Sequence, residues 1–167
     1  MKNLLHFSFC TALPFLLSFT LGRPASGTID TPGRFVDIVP CELLSAEQVE
    51  TILPGHDEGF TAMSGGSLMK GVDSYQCSYT NENIDLFTVI VHVAANAELF
   101  DWIKPHLSSD DTELKIGDGG YLRSSADEIK LEVSKGFKVI ELNLMAPGAS
   151  KKADAMIKIA SILLEKI

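Results

Sequence analysis

Carboxylates, histidines, serines and cysteines are the residues of this sequence that could do chemistry. Acidic side chains dominate, with 22 Asp and Glu against 14 Lys and Arg. Asp110 and Asp111 stand close to Glu113 and Asp118 in one glycine-containing stretch. Hard cations such as calcium take several oxygen ligands on a flexible loop. Asp110, Asp111 and Asp118 are therefore the candidate ligand- or cation-binding residues, although their spacing is not that of an EF-hand loop. Asp57 and Glu58 form a smaller pair, but an acid and base for glycoside hydrolysis need a defined separation that no spacing here supplies. The histidines beyond the first segment are His56, His92 and His106. No two are four apart and none neighbours a cysteine, so no zinc site is expected. His56 could serve as a general base for Ser64 or Ser67, but Ser64-Gly65-Gly66-Ser67 lacks the Gly-x-Ser-x-Gly elbow. Gly117-Asp118-Gly119-Gly120 lacks the Gly-Lys-Ser/Thr of a phosphate loop, and a turn at the mouth of a strand accounts for it. No catalytic residue is assigned and no cofactor is expected. Enzymatic activity is left open, with a non-enzymatic role preferred.

The first segment bounds where any such chemistry takes place. Lys2 is followed by an apolar run from Leu4 to Leu21, broken only by Pro14, and then by Gly22-Arg23-Pro24-Ala25-Ser26-Gly27. A charged start, an apolar stretch and small residues at the cut define a secretory signal peptide. Residues 1–27 are read this way, with cleavage before Thr28. The alternative, an uncleaved anchor, suits the run less well, since a span needs roughly 20 apolar residues and Pro14 interrupts it. Cleavage would remove Lys2 and Arg23, leaving 12 basic against 22 acidic residues and moving the formal charge from −8 to −10. Such a surface repels phosphate backbones, so nucleic acid is not an expected partner. It also disfavours anionic membrane surfaces. No stable membrane anchor is expected after cleavage, and the protein is expected in a periplasm or outside the cell.

Of the three cysteines, Cys10 lies in the signal segment, leaving Cys41 and Cys77. Two cysteines in an exported chain are most simply one disulfide. A redox pair would normally be Cys-x-x-Cys, and a zinc site would need two further ligands.

The elements that must position these groups are legible in part. Residues 28–39 read as a lead-in and 40–167 as one domain. Ser45 and Gln48 form a capping box for a first helix, with Leu44 and Val49 as its staple and Pro54-Gly55 as its end. Gly55 to Gly71 reads as a long polar loop, available as a contact surface. Residues 74–80 and 84–93 read as a hairpin, the second strand being apolar enough for a central place. Asn96 caps a second helix ended by Pro105. Trp102 on it is expected to pack at the helix–sheet edge. Residues 115–123, 129–133 and 137–145 alternate as an antiparallel meander. Ser150 caps a last helix with an apolar stripe from Ala153 to Ile167. The expected fold is α+β and two-layered, an antiparallel sheet of about five strands with helices packed on it, in the order α-β-β-α-β-β-β-α.

Three places in the chain are similar to a class of small exported bacterial domains of unknown function, many of them lipoproteins. Pro40-Cys41-Glu42-Leu43-Leu44-Ser45-Ala46-Glu47-Gln48-Val49 resembles their Pro-Cys-x-Leu-Leu opening. Cys77-Ser78-Tyr79 resembles their Cys-x-aromatic strand, and Ile116-Gly117-Asp118-Gly119-Gly120-Tyr121 their Gly-Asp-x-x-Tyr strand start. The resemblance implies a Cys41–Cys77 disulfide tying the first helix to the first strand, and a helix-on-sheet fold. It brings no established activity. No lipid-acceptor cysteine stands in the expected place. The resulting expectation is an exported binding domain whose partner is another envelope protein. A small-ligand or cation sensor and a hydrolase with a spatially assembled site are the alternatives.

Overall fold

A computed structural model describes residues 38–167, and for 60–68 the backbone alone. The signal segment and all but the last two residues of the 28–39 lead-in lie outside the described residues.

The chain opens with a single helical turn, α1 (Pro40–Leu43), and then α2 (Ala46–Ile52). The capping box forms as the sequence dictates. Ser45 Oγ accepts the Gln48 amide at 3.3 Å, and Gln48 Oε1 accepts the Ser45 amide at 2.8 Å. Leu44 and Val49 are buried on either side of it. The strands follow as β1 (Phe60–Met69), β2 (Val72–Thr80) and β3 (Leu86–Ala94). After α3 (Ala97–Ile103) come β4 (Thr112–Leu114), β5 (Gly119–Ser124), β6 (Glu128–Lys135) and β7 (Lys138–Met145). A 3-10 turn over Ala149–Lys152 leads into α4 (Ala153–Lys166).

These strands form one seven-stranded sheet in the order β1-β2-β3-β7-β6-β5-β4. Every neighbouring pair is antiparallel. Two meanders, β1 to β3 and β4 to β7, meet at the β3–β7 seam, where Phe87, Val89 and Val91 face Leu144, Leu142 and Ile140. The central place expected for the apolar second strand is thus where the structure puts it. One face of the sheet is closed by α2 and α4, whose Val49, Ile52, Met156, Ile159, Ala160 and Leu163 join the core. Lysine side chains tie the helices to one another. Lys152 Nζ donates to the Thr51 carbonyl at 2.9 Å and Lys166 Nζ to that of Leu43 at 2.5 Å, both near helix ends where carbonyls lack partners.

Several expectations need correction. The α+β class stands, but the sheet has seven strands rather than about five, in the order α-α-β-β-β-α-β-β-β-β-α. The supposed loop from Gly55 to Gly71 is mostly β1. Its sequence shows no strand alternation, and the main-chain pairing with β2 makes it a strand. Its pairing carries three register shifts, and Gly71 (φ 89°) supplies the reversal into β2. Short β4 escapes notice because three residues carry no period. Ser150 does not cap α4. Gly148, at φ 72°, starts the 3-10 turn, and Lys152 holds the cap position. Trp102 is 71% exposed, because α3 turns Leu99, Phe100 and Ile103 inward and Trp102 falls on the other side.

Cys41 and Cys77 form a disulfide, with Cα atoms 5.2 Å apart and a sequence separation of 36. It ties α1 to the buried face of β2. The cross-link removes conformational freedom from the unfolded chain. The Cys41→Ala/Cys77→Ala variant should therefore lose about 3–4 kcal/mol in denaturant unfolding. A loss below about 1 kcal/mol would show that the core alone fixes α1. Ile84 adopts φ 65° in the β2–β3 loop while 86% exposed. A β-branched residue is disfavoured there by about 1–2 kcal/mol, so Ile84→Gly should raise the unfolding midpoint despite the extra chain entropy.

Candidate functional site

Alternation along the strands sends a second set of side chains to the face away from α2 and α4. Cross-strand register aligns them in rows. One row runs Glu113, Tyr121, Glu132, Glu141, Ile90 and Gln76 across β4, β5, β6, β7, β3 and β2. The next runs Arg123, Lys130, Asn143, Thr88 and Ser78. A third brings His92 beside Ser74. Gly120, beside Tyr121 and opposite core Val133, lets β5 approach β6 closely, since a side chain there would run into the Glu132 carbonyl.

The centre of the face is a charge network. Glu132 and Glu141 are direct cross-strand neighbours, a like-charge pairing that is unfavourable by itself. Lys130 resolves it, with Nζ 2.7 Å from Glu132 Oε1 and 3.4 Å from Glu141 Oε2. Burial works against the Lys130 charge, but the Glu132 hydrogen bond and both carboxylates outweigh it and raise its pKa. Asn143 Nδ2 donates to Glu141 Oε1 at 2.6 Å. Burial, and then a hydrogen bond with Glu132, push the Tyr121 hydroxyl well above its usual value. Glu132 is only 9% exposed, so this charge sits in a half-dry setting.

Ser74 Oγ and His92 Nδ1 are 2.8 Å apart. Burial lowers the His92 pKa, only partly offset by the charges of Glu141 and Glu132, so the imidazole is neutral near pH 7. No hydrogen bond holds its other nitrogen among the described residues. The pair is half of a nucleophile–base arrangement, without the orienting third group.

The three aspartates singled out by sequence have separate partners. Asp111 is gripped by Arg123, whose Nε and Nη2 donate at 2.8 and 3.0 Å, and by the Ser108 amide and hydroxyl. The Arg123 hydrogen bond, ahead of the Ser108 bonds, holds the Asp111 carboxyl down to about 2. Asp118 Oδ2 accepts the Gly136 amide at 2.6 Å, and Asp110 Oδ1 the Ser109 hydroxyl at 3.2 Å. No group of three or more His, Cys, Asp or Glu suited to a metal ion occurs among the described residues. His56 Nε2 donates to the Ala46 carbonyl at 3.1 Å, fastening the approach to β1 against α2. The serines proposed as its partners, Ser64 and Ser67, belong to β1.

A cleft of about 310 Å³ lies at the α3 end of the open face, between Phe100, Pro105 and Leu107 on one side and Tyr121, Ser134 and Asp118 on the other. A larger groove of about 450 Å³ runs between α2 and α4. Its Gln48 is already used in the capping box, and exposed Glu47 and Lys158 supply its charges. The open sheet face, where several polar side chains converge beside a cleft, is the stronger candidate.

The sequence reading missed Lys130, Glu132 and Glu141. The signal was present, since strand alternation places Lys130 and Glu132 together opposite Ile129, Leu131 and Val133. Only the β6–β7 register adds Glu141.

Lys130→Met should cost about 1–2 kcal/mol in denaturant unfolding, because it leaves two partly buried carboxylates opposed. Adding Glu132→Gln should recover part of that loss, and additive effects would argue against coupling. His92 titrates in the unfolded chain near pH 6.5 and lower in the folded one. The unfolded state therefore binds the extra proton first, and stability falls as pH drops through about 6.5. His92→Gln should flatten that slope in thermal melts. Comparison with family models, with curated proteins and with solved structures finds no match to this chain.

Proposed function

We propose that this chain is an exported, non-enzymatic binding domain that presents the open face of its sheet to another protein of the cell envelope. The observation that carries this reading is the asymmetry of the sheet. One face is sealed by α2 and α4, and the other holds a pre-ordered polar network from Ser74 to Asp111 with a cleft at one end. Ordered polar groups on a rigid scaffold lower the entropic cost of association. The disulfide supports an oxidising location, periplasmic or secreted. The contact surface proposed is this face and not the Gly55–Gly71 segment, most of which is β1.

Photo-crosslinkers placed at Arg123 and Met145, both exposed on this face, and at Lys158 on the helical layer test the reading in the native host. The expected result is one partner captured from both face positions and not from Lys158. Capture from Lys158 alone, or from none of the three, would refute it. The Ser74–His92 pair favours a second reading, a hydrolase. A serine-reactive phosphonate should then label Ser74, and labelling should disappear in Ser74→Ala. For the cation-sensor alternative, a calcium-dependent rise in melting temperature should vanish in Asp111→Asn.

A further inference from the structure

The open face carries an imbalance of charge that constrains what can dock on it. Its cations are already engaged. Arg123 is bound to Asp111, and Lys130 is shared between Glu132 and Glu141. Lys104, at the rim of the cleft, is 2.8 Å from Asp101. One ammonium between two carboxylates leaves a net negative charge at the half-buried centre. Glu113 and Glu128 point to the same side by register, opposite Tyr121 and Met145, and have no ion-pair partner among the described residues. Among the residues that strand register places on this face, the charges without an ion-pair partner are negative, and they run from β4 to β6, with exposed Lys115 just beyond the end of β4.

We infer that the partner docks an extended basic segment on this face, placing lysine or arginine side chains against Glu113, Glu128 and the Glu132–Glu141 centre. This rests on the reading of the open face as the binding surface and adds the chemistry of the occupant. The face suits a basic side chain for a physical reason. An incoming cation at the centre meets carboxylates that are already desolvated and held by Asn143 and Tyr121, so little further reorganisation is needed. An acidic or neutral segment would leave that charge buried without compensation. The whole chain, at −8, attracts the same class of partner from a distance.

The test uses the disulfide-bonded chain and a synthetic peptide of alternating lysine and threonine, with a glutamate–threonine peptide as control. Binding is followed by amide NMR shifts. The lysine peptide should bind saturably and shift the amides of β5, β6 and β7. The glutamate peptide should not bind. Glu113→Lys/Glu128→Lys should weaken binding at least about tenfold. Glu47→Lys/Glu165→Lys, the same charge change on the helical layer, should leave it within about twofold. Equal weakening by both double variants would mean that net charge alone attracts the peptide, and would overturn the inference. So would shifts confined to α2 and α4, or no binding. If crosslinking from Arg123 and Met145 captures a partner while the lysine peptide stays silent, the face binds by other chemistry and only this inference fails. If both are silent, the binding reading fails with it.

Discussion

The β3–β7 pairing is the constraint on which the rest of the structure depends. It joins two meanders that are each locally formed, one of three strands and one of four, into a single sheet. The side chains at the seam, Val89 against Leu142 and Val91 against Ile140, are fully buried. Side-chain direction alternates along a strand, so this one register fixes which face every residue of both meanders occupies. Sliding the seam by one residue would either turn Phe87, Val89 and Val91 outward or bring Glu141 into the core. The apolar cost of that slip sets the register of the polar face as firmly as that of the core.

The connection between the meanders has its own consequence. After β3 the chain does not pair onward but crosses through α3 to the far edge, forms β4 and works back to the seam. Arg123 on β5 clasps Asp111 at the end of that crossing and holds it to the sheet. The crossing also makes the cleft, since Phe100, Pro105 and Leu107 belong to it while Tyr121 and Ser134 belong to the sheet. A two-layer protein thus gains a wall on its otherwise uncovered side.

That uncovered side has a particular energetic character. A wholly solvated face would hold its charges in high dielectric, where ion pairs contribute little. Here Lys130, Glu132 and Glu141 are partly withdrawn from water and linked to Tyr121 and Asn143, so their geometry is fixed before anything binds. Ordering of this kind suits recognition. It also specifies the register of β6 against β7 from the polar side, where the paired glutamates would repel without the shared lysine.

The sequence by itself determined the local devices. The Ser45–Gln48 box needs only residues three apart, Asn96 caps α3 within one turn, and the β5–β6–β7 meander announces itself by strict alternation. The Cys41–Cys77 bridge was legible because, with Cys10 in the expected signal segment, the other two cysteines have one pairing. Only the tertiary structure decided what lies across strands. β1 has no periodic pattern and its composition reads as a loop, and the main-chain pairing with β2 makes it a strand. The Asp111–Arg123 pair joins residues twelve apart in different elements. Ser74 and His92 are eighteen residues apart and meet only through the β2–β3 register. The Glu132–Lys130–Glu141 centre needs the β6–β7 pairing, and its place on an open rather than a covered face depends on where α2 and α4 pack. Helix caps and alternation are short-range and written in adjacent residues. A surface assembled from several strands is fixed by the register of long-range pairings, which composition and spacing do not encode.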